Sequence, residues 1–263
     1  MFEQDGDRFV PGPICTGPWD PATMHGGPPF ALCGRILAGH GEGSDAFHLA
    51  RLSVELVRAV PMRPLTVEVI ETRAGRRIQL LDVILRDDTG LELVYGRAMR
   101  IRRADNGLDE AELPMPGPPT HPTPDESAVF EHGYPLDEGG FYMDAFEIRT
   151  CDERSFGPPG ASAAWFRLRT PVLAGDAISP LDRVLAVSDF GNGISNIVPG
   201  VDHLYINPDV SLHLHRVPKG EWLLSDARTH ARRDGHGTAT AVLSDQRGQV
   251  GVANQSLMIA PRP

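Results

Sequence analysis

The chain is poor in the features that mark several large classes of protein. It has only three cysteines, Cys15, Cys33 and Cys151. Their number is odd and no CxxC spacing occurs, so neither a disulfide framework nor a zinc site is indicated. A metal site assembled from His203, His213 and His215 lacks a carboxylate or cysteine at fixed spacing to complete it. No run of about 18 apolar residues is present, and the acidic start "MFEQDGDRFVPGP" lacks the charged-then-apolar pattern of a signal peptide. A reducing cytoplasm is the expected location, with no membrane span.

Positive charge is also scarce. Lys and Arg number 25 against 35 Asp and Glu, a formal net charge of -10. Non-specific binding to nucleic acid or to an anionic membrane is therefore not expected, and an anionic ligand must be met by local cations. No G-x-S-x-G elbow occurs. "GNGISN" (residues 191–196) lacks the third glycine of a dinucleotide fingerprint and follows a helix rather than a strand. No cofactor is implied.

What is present is a repeat. "SVELVR" (53–58) matches "SLHLHR" (211–216), and "RDDTGLELVYGRAMRI" (86–101) matches "SDQRGQVGVANQSLMI" (244–259). Every matched pair is 158 positions apart, as Ser53 is from Ser211 and Gly90 from Gly248. A constant offset over about 50 residues reads as two copies of one unit.

Each copy has the same predicted element order. In the first, a mostly buried helix over 30–38 precedes strands near 47–60, 64–74, 77–87 and 90–102. Leu52, Val54 and Leu56 alternate there with polar residues at the period of two that a half-buried strand requires. In the second, a helix over 178–190 begins at the cap pair Ser179-Pro180 and is followed by strands near 203–217, 221–234, 237–245 and 248–260. The turns "DDTG" and "DQRG" sit at equivalent places. "FYMDAFEIRT" and "AWFRLRT" are predicted strands of the second copy, and "DRFVPGPICTGPW" supplies the early strand of the first. The proline-rich "LPMPGPPTHPTPDE" (113–126) reads as an extended surface linker. The units are set at 1–104 and 126–263, with 105–125 between them.

A helix gripped by a curved antiparallel sheet, written twice, is the double hot dog arrangement, an α+β fold. The sequence resembles the acyl-CoA thioesterases of the thioesterase II type over nearly its whole length. "LAVSDF", "NPDVSLHLHR" with "EWLL" after it, and "DQRGQVGVANQSLM" carry the resemblance. It implies hydrolysis of an acyl-CoA thioester by a water held on Asp189 in "VSDF", Gln255 in "ANQSLM" and a small hydroxyl residue two positions before Asp209. That hydroxyl position is Asn207 here, which can donate and accept hydrogen bonds but has no rotating O–H. A non-catalytic protein that binds acyl chains or acyl-CoA is the alternative. A hydratase of the same fold is ranked below both, because no histidine lies between Asp189 and His203.

The 158 offset sets Leu49 opposite Asn207 and Arg97 opposite Gln255. One working site per chain follows, in the second unit, with the first unit as its structural partner. The opening of the first helix, "HGGPPF" (25–30), resembles the His-Gly-Gly of single hot dog thioesterases, where a backbone N–H meets the thioester oxygen. Pro28 and Pro29 have no N–H, which leaves Gly27 as the substrate-binding candidate, with the amide of Phe30 behind it. His25 is read as a loop-packing residue. The clusters at 97–103, 76–77 and 232–233 are the cations considered for coenzyme A, none of them assigned. Further pairing of chains into a homo-oligomer is expected.

Overall fold

The protein is described from a computed structural model, covering all residues except 110–112, 114–115, 131–138, 153–158, 198–202 and 263. The described strands join in one antiparallel sheet. Its first half runs β1 (Phe2–Asp5), β2 (Arg8–Pro11), β4 (Leu65–Ala74), β5 (Ile78–Arg86), β6 (Glu92–Arg102), β3 (Phe47–Leu56). The second half continues with β11 (Asp209–Leu214), β14 (Gly248–Pro261), β13 (His236–Asp245), β12 (Trp222–Ala231), β9 (Ser162–Leu168), β8 (Phe146–Thr150) and β7 (Ala128–Val129). The short β10 (His203–Ile206) also pairs with β14.

The halves mirror each other across the β3–β11 seam. Ser53 lies directly opposite Ser211, with Leu52 opposite Leu212 and Val54 opposite Val210. These partners are the residues that the repeat makes equivalent, so a local two-fold axis passes between Ser53 and Ser211, whose hydroxyls are 3.1 Å apart. Apolar side chains at alternate positions of β3 and β11 face inward, and Leu52, Val54, Val210 and Leu212 are buried.

Two helices cross beneath this seam. α1 (Gly27–Gly39) is almost wholly buried over its first two turns. α3 (Pro180–Val187) starts on a full capping box in which Ser179 and Asp182 bond each other's backbone N–H. Gly34 makes the crossing possible, because a Cβ there would run into the side chain of Leu185.

Several boundaries differ from the sequence reading. The second helix does not run over 178–190: α3 stops at Val187, and the four-residue α4 (Gly191–Ile194) follows a break. Ser188 Oγ donates to the Val184 carbonyl at 2.7 Å. That bond, with weak helix formers Ser, Asp and Gly in "SDFGNG", bends the chain at Asp189. The strand expected over 203–217 is two strands, since Pro208 has no N–H for the ladder, and Asn207 falls in the gap. "FYMD" forms a helical turn, α2 (Phe141–Asp144), rather than the start of a strand. Much of the linker's described backbone is exposed, but Trp165 Nε1 anchors the carbonyl of Pro122 at 2.8 Å.

The equivalent hairpin turns hold a buried aspartate each. Asp87 accepts from the amides of Thr89 and Leu91. Asp245 is fully buried and takes a forked contact from Arg216, 2.5 and 2.9 Å, together with the amides of Lys219 and Arg247. Burial pushes the Asp245 carboxyl up, but Arg216 and the amides outweigh it and hold it below the usual range. The ionised form thus stabilises the fold above the ordinary carboxylate pKa, and the contribution fades as pH falls through the depressed value. Asp245→Asn is expected to lower stability near neutral pH by about 3 kcal/mol, as for one partner of a buried pair. In urea titrations the gap to the parent protein should close as pH falls below the ordinary carboxylate range. A gap independent of pH would contradict this account.

Candidate active site

The break after α3, the gap between β10 and β11, and the middle of β14 meet at one carboxylate. Asp189 is 3% exposed. Its Oδ1 accepts from Asn207 Nδ2 at 2.6 Å and from Gln255 Nε2 at 3.1 Å. Gln255 Nε2 also lies 3.1 Å from the Asp189 carbonyl, and its Oε1 accepts the amide of Asn192 at 3.0 Å. The glutamine needs a small neighbour, because a Cβ on Gly191 would stand 2.8 Å from Oε1. The three polar residues singled out in the sequence therefore form one connected group.

The structure adds a fourth member. Asp189 Oδ2 is 3.0 Å from Nδ1 of His25, at the entrance to α1. The imidazole stacks on Phe190 at 5.4 Å between centroids and leans on Phe141 at 5.0 Å. The expectation that His25 merely packs a loop is thereby corrected: the first unit hands a titratable side chain to the second unit's carboxylate. The first unit is also more than a structural partner, since Met24, His25, Gly26, Leu56, Arg58 and Val60 help line the cavity above Asp189. No spacing in the sequence signals this contact. The one available cue was the His-Gly-Gly string itself.

The same geometry moves the proposed backbone donor by one residue. The Gly27 amide is directed at His25 Nδ1, 3.0 Å away, and the residue is buried beneath Phe141 and absent from the cavity lining. The Phe30 amide donates to the Gly26 carbonyl. Gly26 itself lines the cavity, and its N–H is not consumed by the hydrogen bonds of the turn. It stands at the N-terminal end of the thirteen-residue α1, where the helix field favours negative charge.

The cavity has a volume of about 650 Å³. Asp189, His25, Gly26 and Asn207 share its lining with Met24, Leu56, Val60, Phe190, Tyr205 and Ile206. The wall is thus largely apolar with a few convergent polar groups, the usual make-up of a small-molecule site. None of the cysteines competes as a nucleophile. All are free thiols, and burial pushes Cys15 up to about 12, Cys151 to about 11, and Cys33 further still. Among the described residues, no group of three or more His, Cys, Asp or Glu is placed to hold a metal.

The arginine cluster at 97–103 has structural work. Arg97 forks onto Asp82 at 2.6 and 2.7 Å, where the second unit has its Gln255 position. Arg100 donates to the carbonyls of Leu37, Ala38 and His40 at the end of α1. The first unit's equivalent of the site is accordingly an ion pair and a helix cap.

Comparison with known proteins fits this architecture. Residues 15–101 match the model of the acyl-CoA thioesterase N-terminal domain, and residues 113–259 match that of the acyl-CoA thioesterase C-terminal domain. The chain belongs to the acyl-CoA thioesterase family. As such it is a thioester hydrolase acting on an acyl thioester. No curated protein matches it.

Solved structures show that the fold is the hot dog fold. A hot dog protein of unknown function from Alicyclobacillus acidocaldarius is 17% identical, with a TM-score of 0.72 over 100% of this chain and 96% of that one. The tesB protein of Mycobacterium avium subs paratuberculosis is 18% identical, with a TM-score of 0.68 over 99% and 96%. The acyl-CoA thioesterase II TesB2 of Mycobacterium marinum is 15% identical, with a TM-score of 0.64 over 100% and 95%. In this thioesterase the helix of the second unit is short and broken, so the long central helix expected there is found only in the first unit.

Gly26 offers a direct test of the site's tightness. A Cβ there would lie 2.8 Å from Asp189 Oδ2 and 3.0 Å from Leu56 Cδ1, although the backbone conformation itself suits any residue. Gly26→Ala should displace the carboxylate and lower kcat for thioester hydrolysis about 100-fold, the usual cost of an ångström-scale misplacement. Unchanged turnover would show that the carboxylate tolerates movement and does not need its present position.

Proposed function

We propose that the protein hydrolyses acyl-CoA by attack of a water held and deprotonated at the Asp189–His25 pair. The observation that carries this reading is the convergence of His25, Asn207 and Gln255 on the Asp189 carboxylate at the polar end of an otherwise apolar cavity. Hydrolysis of a thioester needs a base for the water proton, a donor for the developing oxyanion and a channel for the acyl chain. Each has a candidate in the lining.

Within the pair, the roles follow from access. Asp189 is engaged at both oxygens, by Asn207 and Gln255 on one side and His25 on the other. Nδ1 lies 3.0 Å from both the Asp189 Oδ2 and the Gly27 amide, and the ionised carboxylate is the stronger partner: Nδ1 carries the proton and donates it to Oδ2, the Gly27 N–H then makes no hydrogen bond to the ring, and Nε2 is left as the open acceptor. Nε2 then takes the water proton while Asp189 fixes the ring's tautomer and stabilises the imidazolium, the logic of a carboxylate-supported histidine base. Asn207 and Gln255 hold the carboxylate; Gln255, bonded to Asp189 and to the Asn192 amide and outside the cavity lining, does so from behind and does not reach the water.

The hydroxide equivalent adds to the thioester carbon, and its oxyanion is met by the Gly26 N–H and the second N–H of Asn207 Nδ2. Asn207 is suited to this, because its other contact, to the Asp209 carbonyl, is long at 3.4 Å. Collapse breaks the carbon–sulfur bond and releases the thiolate, which leaves without a strong acid. Met24, Leu56, Val60, Phe190 and Ile206 form the apolar wall that receives the acyl chain.

Asp189→Asn is the test. The amide keeps the shape but removes the charge that orders His25, and thiol release from acyl-CoA should fall between about 10² and 10⁴-fold. A variant as active as the parent would rule the assignment out. Binding of acyl-CoA with no thiol release by the parent protein would favour an acyl-binding role instead.

A further inference from the structure

The buried residues of the cavity lining mark its deep end: Met24, Val60, Asp189, Phe190 and Asn192. Asp20, Arg58 and Arg262, at its mouth, are exposed. At the deep end Phe190 follows directly on Asp189 and is backed by three further buried rings. Between centroids, Phe141 of α2 is 5.7 Å away, Phe146 of β8 5.1 Å and Phe166 of β9 4.8 Å. Phe146 also meets Phe141 at 5.2 Å and Phe166 at 5.7 Å, both edge-to-face. These are the separations of packed aromatic pairs.

The cluster is pinned from both units. The Phe141 amide donates to the Thr16 carbonyl at 3.1 Å, and its ring lies so close on Gly27 that a Cβ there would run into it. On the far side of the cluster is a second, smaller cavity of about 190 Å³, bounded in part by Phe146, Met143, Ile148 and Phe130. It shares no lining residue with the first, and α2 stands between them: Tyr142 lines one and Met143 the other. The other way into the core, between α1 and α3, is closed where Gly34 meets Leu185. A chain that enters past Asp189 therefore runs into close-packed rings, which do not admit extra methylenes without strain.

We propose that this phenylalanine cluster is the floor that limits the length of the acyl group. Phe190 is the residue that the end of the chain abuts, and Phe141, Phe146 and Phe166 keep it from giving way. The enzyme accordingly selects acyl groups of a few carbons and turns away long fatty acyl chains. This rests on the thioesterase reading above and adds to it which acyl groups are accepted. The rings determine specificity and take no part in the bond-breaking step.

The test measures kcat/KM for butanoyl-, octanoyl- and hexadecanoyl-CoA. The parent protein should favour butanoyl-CoA over hexadecanoyl-CoA. Phe146→Ala removes the ring between the two cavities and should raise the octanoyl-to-butanoyl ratio at least about tenfold, the worth of about two further buried methylenes. Phe190→Leu should raise the ratio in the same direction. A ratio cancels any loss common to both substrates, including one from disturbed stacking on His25. Phe146→Leu keeps most of the apolar bulk and serves if Phe146→Ala does not fold.

A parent protein that is at least as active on hexadecanoyl-CoA as on butanoyl-CoA overturns the floor, as does an unchanged ratio in the folded variants. If the parent hydrolyses no thioester at all, it is the catalytic reading that fails. Calorimetric titration with the unreactive thioethers S-butyl- and S-octyl-CoA then still decides the floor. Tighter binding of the octyl compound by the Phe146 variant than by the parent, with butyl binding unchanged, supports it. No such gain, or no binding to either protein, overturns it.

Discussion

Everything distinctive about this molecule depends on the pairing of β3 with β11. That seam joins two curved sheets into one and makes Ser53 face its own repeat partner, Ser211. Once it is formed, α1 and α3 cross beneath it, so close that a Cβ at position 34 would meet the side chain of Leu185. The crossing sets the start of α1 against the break that follows α3. His25 reaches Asp189 because of that crossing, and the cavity opens between the two units.

The two copies have divided the labour. At the place where the second unit has Gln255, the first has Arg97 bound to Asp82. Where the second unit locks Arg216 onto a buried aspartate, the first has Arg58 at the cavity, bonded to the Glu92 carbonyl and with no carboxylate partner among the described residues. The second unit thus keeps the polar group around Asp189, and the first supplies a histidine, a backbone amide and a cation to the same space. In the proposed mechanism neither unit alone supplies every group.

Much of this was legible in the sequence, and the limits have physical causes. The offset of 158 could be read because equivalent strands bury the same faces, and the structure turns it into a two-fold axis. Strand positions in the first unit followed from alternation and turn residues. The shape of the site was harder to read. Asp189, Asn207 and Gln255 were reached through resemblance, since each is locally an ordinary residue in a helix end, a turn and a strand.

His25 was misjudged because its partner comes from the far half of the chain, and no local pattern encodes that contact. Gly27, with Phe30 behind it, was reached by counting missing prolyl N–H groups, which does not say which backbone lines the cavity: Gly26 does, and Gly27 is buried against Phe141. The helix break at Asp189 was missed because "LAVSDF" keeps an apolar period up to the residue where Ser188 bends the chain.

The central claim is that His25 and Asp189, from different units, act as one device. The most direct measurement is a double-mutant cycle on kcat/KM for acyl-CoA hydrolysis with His25→Gln, Asp189→Asn and the two combined. Coupled groups give a double variant hardly slower than the worse single variant, because each substitution already disables the pair. Losses that multiply in the double variant, as for independent residues, would contradict the account.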